Sequence, residues 1–371
     1  MISVLHVIDT GGPGGAETVF LQTATGLDPD RFRSTAVVGH EGWLSSQLNA
    51  RGVVPDIAPA KGSFNRRYLW QLGRIARHHR VDVIVAHLYG SAVYANILGR
   101  LLAIPIVSVL HGQTDISSAD RFASWKAAIV RNGSRQVVFV SDKLKEELGQ
   151  RLALGPSQCV TIPNGVDTKV FQPLPDRTLR AELGLPSDAV LIGAIGNVRS
   201  PKAYDVFLRA ARILVDRVPR AHLVIAGDDN NALGRALLEF RDDLGLQRHV
   251  TFLGLRNDIA RVLNNLDVYV LSSNTEGFSI ACIEAMACGV PVVATRSGGP
   301  EEILAGETGV LVPSNDPVAI AQAVENILTS TALAARLTAA ALDRVHQEYS
   351  LGSMLARYEK VLSDVARRPL R

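Results

Sequence analysis

The sequence predicts an α/β protein of two domains, each a parallel sheet covered by helices, and three observations carry that prediction. Short apolar runs alternate with longer amphipathic stretches from end to end, the pattern of successive strand-helix units. At 371 residues the chain exceeds what one hydrophobic core ordinarily supports. A stretch rich in proline and turn residues, Pro163 to Pro186, interrupts the alternation, which restarts at Val190. The composition, 47% hydrophobic and 20% charged, supplies enough apolar side chains for two cores and lacks the bias of a disordered chain.

In the first half the strand candidates are Val4 to Ile8, Thr35 to Val38, Val83 to Ala86, Ile106 to Leu110, Val137 to Val140 and Cys159 to Ile162. In the second they are Val190 to Ile195, His222 to Ala226, Val250 to Phe252, Val268 to Leu271, Val292 to Ala294 and Val310 to Val312. Helices such as Asp205 to Val218, with Val206, Phe207, Ala210, Ile213 and Leu214 on one face, connect them. A hinge is expected near Thr168 to Pro175, giving a first domain over residues 1–170 and a second over 171–349. Ala319 to Arg371 reads as helices only, and a last helix over about 350–371 is expected to pack back on the first domain.

Several function classes are disfavoured. The N-terminus lacks a basic segment before its apolar run, so it reads as a buried strand and not as a signal peptide. The longest apolar stretch, Ile97 to Leu110, is broken by Arg100 and Pro105 and is too short for a bilayer. Cys159, Cys282 and Cys288 are odd in number and lack metal-site spacing, which points to reduced thiols and a cytoplasmic setting. The net charge of +3 and the absence of a recognition motif argue against a nucleic-acid partner. Charge is nevertheless uneven, about +5 through residue 170 and about −2 beyond it. Lys61, Arg66, Arg67, Arg74, Arg77 and Arg80 lie among Phe64, Tyr68, Leu69, Trp70 and Leu72 with no acid between them. That segment reads either as a solvated basic helix face or as a contact for anionic lipid headgroups at the inner membrane surface.

Three segments carry candidate chemistry. Thr10-Gly11-Gly12-Pro13-Gly14-Gly15-Ala16-Glu17 joins the first strand to a helix, where glycines let backbone amides approach an oxyanion. Glu17 stands where a dinucleotide fingerprint needs its third small residue, which disfavours a nicotinamide dehydrogenase; a tight turn without a ligand reads the same way. In Gly196-Asn197-Val198-Arg199-Ser200-Pro201-Lys202, Lys202 as a point charge and Arg199 as a fork donor could neutralise a pyrophosphate, or simply be solvated. After the strand ending at Leu271, Glu276 precedes an expected N-cap at Ser279, and Glu284 follows on the helix. Eight helical residues span about 12 Å, comparable to the reach of a nucleotide sugar from ribose to hexose.

These residues resemble the retaining glycosyltransferases of family 4, and the resemblance covers nearly the whole chain. Glu276 to Glu284 fits that family's E-x7-E motif, followed by Glu284-Ala285-Met286-Ala287-Cys288-Gly289-Val290-Pro291 and Gly298-Gly299-Pro300-Glu301-Glu302. Pro163-Asn164-Gly165-Val166-Asp167, His111-Gly112 and the first glycine loop match in the same order. The resemblance implies the GT-B architecture, two Rossmann-like domains whose parallel sheets face a deep cleft. It implies that Glu276 holds donor sugar hydroxyls, that Glu284 holds the ribose, and that backbone amides at Phe278, Ser279 and Ile280 lie near phosphate or sugar. Gly14 and Gly15 would contact the donor sugar phosphate, and His111 the donor hexose. Asp167, Glu301 and Glu302 fit turn and cap roles at least as well. Two positions depart from the family pattern: Asn197 stands where an arginine is usual, and Ala203 replaces the glycine that commonly follows the lysine. Asn197 can donate a hydrogen bond but brings no charge, so the cationic clamp on the β-phosphate would depend on Lys202, helped by Arg199.

The expectation is therefore a retaining hexosyltransferase that uses a nucleotide diphosphate sugar, with Glu276, Lys202 and His111 as catalytic residues. No cofactor is expected; no Asp-x-Asp metal motif is read in the sequence, and cations and helix dipoles are expected in place of a metal. The acceptor is expected to be a glycan or a lipid-linked precursor of a cell-surface polysaccharide, recognised by first-domain loops including Lys61 to Arg80 and Thr114 to Asp120. A nucleotide-sugar epimerase of the same fold and a non-catalytic nucleotide-sugar binding protein stand as alternatives.

Overall fold

The computed structural model describes residues 1–60, 65–112 and 122–367. Lys61, Phe64 and the Thr114 to Asp120 region therefore lie outside the described residues. The chain divides into two compact units, Met1–Gly165 with Leu351–Arg371, and Val166–Ser350.

The first unit is built on seven strands: β1 (Ile2–Val7), β2 (Phe32–Val38), β3 (Asp56–Ile57), β4 (Val83–His87), β5 (Ile106–Leu110), β6 (Ser134–Phe139) and β7 (Cys159–Thr161). All pairings are parallel, in the order β3-β2-β1-β4-β5-β6-β7. β4 and β5 are buried along their whole length, as strands covered on both faces must be. The described connecting helices are α1 (Gly15–Gly26), α2 (Trp43–Ala50), α3 (Arg66–His78), α4 (Tyr89–Leu102), α5 (Ala123–Gly133) and α6 (Asp142–Arg151). α1 sets Phe20, Leu21 and Ala24 against Ile8, Ala36, Val38, Leu44 and Leu48. One polar cluster sits within this core: the amide of Asn96 donates to Ser108 Oγ (3.2 Å), Ser108 shares a proton with Ser134 (2.8 Å), and Ser134 Oγ returns to Asn96 Oδ1 (3.2 Å). Each member finds its partner inside the cluster, so no desolvation cost is left uncompensated there.

The second unit carries a parallel six-stranded sheet in the order β10-β9-β8-β11-β12-β13. Its strands are β8 (Val190–Ile195), β9 (Ala221–Ala226), β10 (Val250–Gly254), β11 (Val268–Leu271), β12 (Val292–Thr295) and β13 (Val310–Val312). The helices are α7 (Thr178–Glu182), α8 (Tyr204–Arg217), α9 (Ala232–Asp243), α10 (Ile259–Asn264), α11 (Ile280–Ala287), α12 (Gly299–Ile303), α13 (Pro317–Thr329) and α14 (Thr331–Arg344). α8 presents Val206, Phe207, Ala210, Ala211 and Leu214 to a core shared with Leu223, Val270 and Val324. Arg180, although 3% exposed, is fully engaged: it donates to Ala189 O (2.9 Å), Asn265 O (2.9 Å) and Asp267 Oδ2 (2.6 Å).

The last helix, α15 (Leu351–Arg367), belongs to the first unit. It buries Met354, Tyr358, Leu362 and Val365, and Glu359 pairs with Arg31 at 2.7 Å while accepting from the backbone N–H of Asp28. Both sheets are parallel and helix-covered, the class that the alternation predicts. The strand that periodicity did not reveal is β3, two residues at the sheet edge directly after Pro55, too short to show alternation. Among the described residues no single helix is long and apolar enough to cross a membrane.

Candidate active site

Strand order places the candidate residues. In an open parallel sheet, ligands bind beyond the carboxyl ends of the strands where the order reverses direction. In the second unit that reversal falls between β8 and β11. The loop leaving β8 contains Gly196, Asn197, Arg199 and Lys202, and the loop leaving β11 contains Glu276.

The two loops are tied together by the backbone. Ser272 Oγ donates to the carbonyl of Lys202 at 2.8 Å, and the N–H of Asn274 donates to the carbonyl of Pro201 at 2.8 Å. Lys202 Nζ thereby reaches Glu276 Oε2 at 2.7 Å, and Ser273 Oγ donates to the same oxygen at 3.3 Å. The pair is mostly shielded, with 22% of the lysine side chain and 15% of the glutamate exposed. Glu276 is fixed from the other side too: its N–H donates to Ser297 O (2.8 Å) and its carbonyl accepts from Gly299 N–H (2.7 Å). Gly298 completes this bridge at φ +123°, where a Cβ would stand 2.6 Å from the Glu276 carbonyl, so only glycine fits.

Gly196 turns the chain at φ +147°, and Tyr204 OH donates to its carbonyl at 2.7 Å. A Cβ there would crowd Lys202 Cε at 3.1 Å, so the glycine opens the lysine's path toward Glu276. Asn197 directs its Oδ1 at the N–H of Asp228 (3.0 Å), which makes it a brace between the loops after β8 and β9. Arg199 is exposed. Ala203, after a short 3₁₀ turn over Ser200–Lys202, sits in the left-handed region at φ 47°, ψ 48° and starts α8. Glycine is the residue that takes this conformation without strain.

Ser279 caps α11, its hydroxyl accepting from Cys282 N–H at 3.3 Å. Phe278 is buried with its ring edge against Tyr349, centroids 5.7 Å apart. Ile280, Ala281 and Glu284 form the less buried stripe of α11, while Cys282, Ile283 and Ala285 to Ala287 face the core. Burial pushes the Glu284 carboxyl up to about 7, and no charge or hydrogen bond among the described residues offsets it.

In the first unit the order reverses between β1 and β4. The glycine loop leaves β1, and Gly14, in extended backbone, caps α1 by accepting from Thr18 N–H and Thr18 Oγ, both at 2.9 Å. Gly15 is the first, exposed residue of that helix. His111 follows β5 and is half-buried; burial lowers its pKa to about 3. β4 lies between β1 and β5, and its last residue, His87, fully buried, meets His111 with Nδ1 3.1 Å from Nε2. Sequence reading missed His87, because one histidine at the end of an apolar run carries no signal until strand order puts it beside His111. The reading that the sequence holds no Asp-x-Asp triplet is wrong: Asp28-Pro29-Asp30 is one, and it forms a turn in which Asp28 Oδ1 accepts from Asp30 N–H at 3.0 Å.

Comparison with known proteins identifies the family and the fold. The sequence model described as Glycosyltransferase Family 4 matches residues 13–170, and the one described as Glycosyl transferases group 1 matches residues 189–330. D-inositol 3-phosphate glycosyltransferase of Stackebrandtia nassauensis is 34% identical over 323 residues, covering 82% of this chain and 70% of that protein. The chain belongs to glycosyltransferase family 4. The enzyme of the same name from Mycobacterium marinum is 29% identical over 304 residues, and the match spans 76% of this chain but 64% of its relative's length. Among solved structures, HepE of Anabaena in complex with UDP-glucose superposes with a TM-score of 0.87 at 21% identity, over 98% of this chain and 100% of that one. Family membership and fold thus rest on independent likenesses, one in sequence and one in shape.

Proposed function

We propose that the protein is a retaining, metal-independent hexosyltransferase that moves a sugar from a nucleotide diphosphate donor to a hydroxyl of a glycan or lipid-linked acceptor. The observation that carries the reading is the Lys202–Glu276 pair at the strand-order reversal of the second unit, directly ahead of the Ser279-capped helix α11. An anion-binding cation, a carboxylate and a set of helix-start amides together suit a sugar joined to a diphosphate.

In this reading Lys202, Arg199, the Asn197 amide and the backbone N–H groups of Phe278, Ser279 and Ile280 receive the diphosphate. Glu276 accepts hydrogen bonds from sugar hydroxyls and Glu284 from the ribose. Gly14, Gly15 and His111 contribute donor contacts from the first unit. As the bond from the anomeric carbon to the phosphate oxygen breaks, its electron pair stays with the diphosphate, and the cation and amides stabilise the growing charge. The acceptor hydroxyl attacks the face the diphosphate leaves, and its proton passes to the departing phosphate oxygen. No protein nucleophile is needed.

HepE was crystallised with UDP-glucose, so UDP-hexoses head the donor panel. The relatives' name adds D-inositol 3-phosphate to an acceptor panel of glycans and lipid-linked sugars. The outward face of α3, with Arg66, Arg67, Trp70, Arg74 and Arg77 exposed, supports a lipid-linked acceptor at an anionic inner membrane surface and a role in cell-surface polysaccharide assembly. Thermal-shift screening selects the donor, since a ligand at 100 times its Kd adds about 2.7 kcal/mol. Transfer is then measured for wild type, Lys202→Ala and Glu276→Ala. Each substitution is expected to lower kcat/KM at least about tenfold, the scale of one charge-assisted contact. Wild-type turnover by both variants removes the reading; isomerised donor without acceptor would instead show an epimerase.

A further inference from the structure

The histidine pair in the first unit holds more than packing. His87 Nδ1 and His111 Nε2 are 3.1 Å apart, the ring planes differ by 19°, and the centroids are 5.3 Å apart. That centroid separation is about the nitrogen-to-nitrogen distance plus the two ring radii, so the imidazoles lie edge to edge in nearly one plane and not face to face. The shared proton therefore lies along a well-aligned bond. Phe20 packs against the His87 ring, centroids 5.3 Å apart at 73°, which fixes it from the side. His87 is wholly buried and its Nε2 has no hydrogen-bond partner among the described residues, whereas His111 is half-buried.

We infer that His87 is a positioning residue: its Nδ1–H donates to His111 Nε2 and so fixes His111 as the tautomer protonated at Nδ1. A buried imidazole has one proton to place. Were it on His87 Nε2, a buried N–H would lack an acceptor, a rarer and costlier defect than a bare lone pair. With the proton on Nδ1, only the lone pair of Nε2 goes unmet. Burial holds both rings neutral, lowering His111 to about 3 and His87 well below its ordinary value, so each carries a single ring proton across the working pH range. In the proposed reading His111 would then meet a sugar as a neutral, oriented imidazole and not as a cation. This consequence for the sugar rests on the proposed donor-site role of His111; the tautomer does not.

The test is long-range proton–nitrogen correlation NMR on the ligand-free, histidine-labelled protein, with assignments from the signals lost in His87→Phe and His111→Ala. His111 is expected to show a pyrrole-type Nδ1 and a pyridine-type Nε2; the reverse pattern overturns the inference. His87→Asn, which keeps a donor near the Nδ1 position, is expected to preserve that tautomer, and His87→Phe to release it toward the Nε2-protonated form. An unchanged His111 tautomer in His87→Phe also overturns it. With the donor and acceptor found by the screen above, His87→Phe is expected to lower kcat about tenfold, with rescue by His87→Asn and no added loss in a His111→Ala background. A full added loss in that background would mean that His87 does not act through His111. Unchanged kcat in His111→Ala, with the stated tautomer present, would remove His111 from the donor site while the proton placement stands.

Discussion

Glu284 offers a test that separates stability from function within one side chain. Its carboxyl moves from 4.5 to about 7 on folding, and the cause is burial alone. The folded state therefore holds the proton more tightly than the unfolded chain. Below pH 4.5 the residue is neutral in both states and costs nothing; between 4.5 and 7 stability falls as pH rises, and above 7 the full penalty applies. A shift of that size corresponds to about 3 kcal/mol, and about 2 kcal/mol after allowing for the water that still reaches this half-buried carboxyl. Glu284→Gln removes the charge and keeps the shape. The variant is expected to match wild type near pH 4.5 and to exceed it at pH 8 by about 2 kcal/mol, or roughly 4–8 °C in melting temperature for a unit of this size. Trp43, Trp70 and Trp125 all lie in the first unit, so their fluorescence is an internal control that should not shift, while far-UV circular dichroism follows the second unit as well. If the carboxylate also serves the ribose, the stabilised variant will bind nucleotide sugar at least about tenfold more weakly. A stability difference that is the same at pH 4.5 and pH 8, or a less stable variant at pH 8, would refute the reasoning.

Ala203→Gly should stabilise the second unit by about 0.5 kcal/mol, because the left-handed strain at φ 47° exceeds the extra chain freedom glycine loses; a midpoint at or below wild type by circular dichroism would count against it. Arg180→Met should destabilise that unit by about 3 kcal/mol in urea, since it strands the Ala189 and Asn265 carbonyls and leaves the Asp267 carboxylate without its cation. If α3 meets anionic headgroups, the protein will co-sediment with phosphatidylglycerol vesicles but not with phosphatidylcholine vesicles. Arg67→Glu with Arg74→Glu should weaken that binding at least about tenfold, at roughly 1 kcal/mol per basic residue, and an unaltered pellet would dismiss the face.

Much of the fold is legible in the sequence because buried parallel strands announce themselves. Ile106–Leu110, Val190–Ile195 and Val268–Leu271 are apolar runs, the first interrupted by Ser108, bounded by turn residues, and their limits coincide with the structure. Gly298 lies in a segment that carries the family resemblance, but the close backbone approach that requires a glycine there shows only in the structure. Strand order is not legible, because it is decided by packing between elements far apart in the chain. Without it, Lys202 and Glu276 are separate residues in separate loops, and the 2.7 Å contact between them cannot be read. His87 is lost for that reason too. Burial is equally hidden, since nothing in Ile283-Glu284-Ala285 says that the carboxyl is held up by desolvation.

The two departures from the family pattern fall in one loop, and the structure gives them unlike consequences. Asn197 gives its carbonyl oxygen to the Asp228 backbone, so a position that elsewhere supplies charge here stitches the β8 and β9 loops together. Ala203 accepts backbone strain immediately after Lys202 while keeping the turn that aims the lysine. Lys202 is paired with Glu276 at 2.7 Å, and that pairing bears on specificity. In the proposed reaction a bare nucleotide diphosphate would draw Lys202 away and leave Glu276 shielded without a partner, a costly state for a mostly buried carboxylate. A nucleotide sugar relieves that cost, because its hydroxyls can donate to Glu276 while its phosphates take the lysine. In that reading the ion pair couples sugar recognition to phosphate recognition, and a donor satisfies the site only when it supplies both.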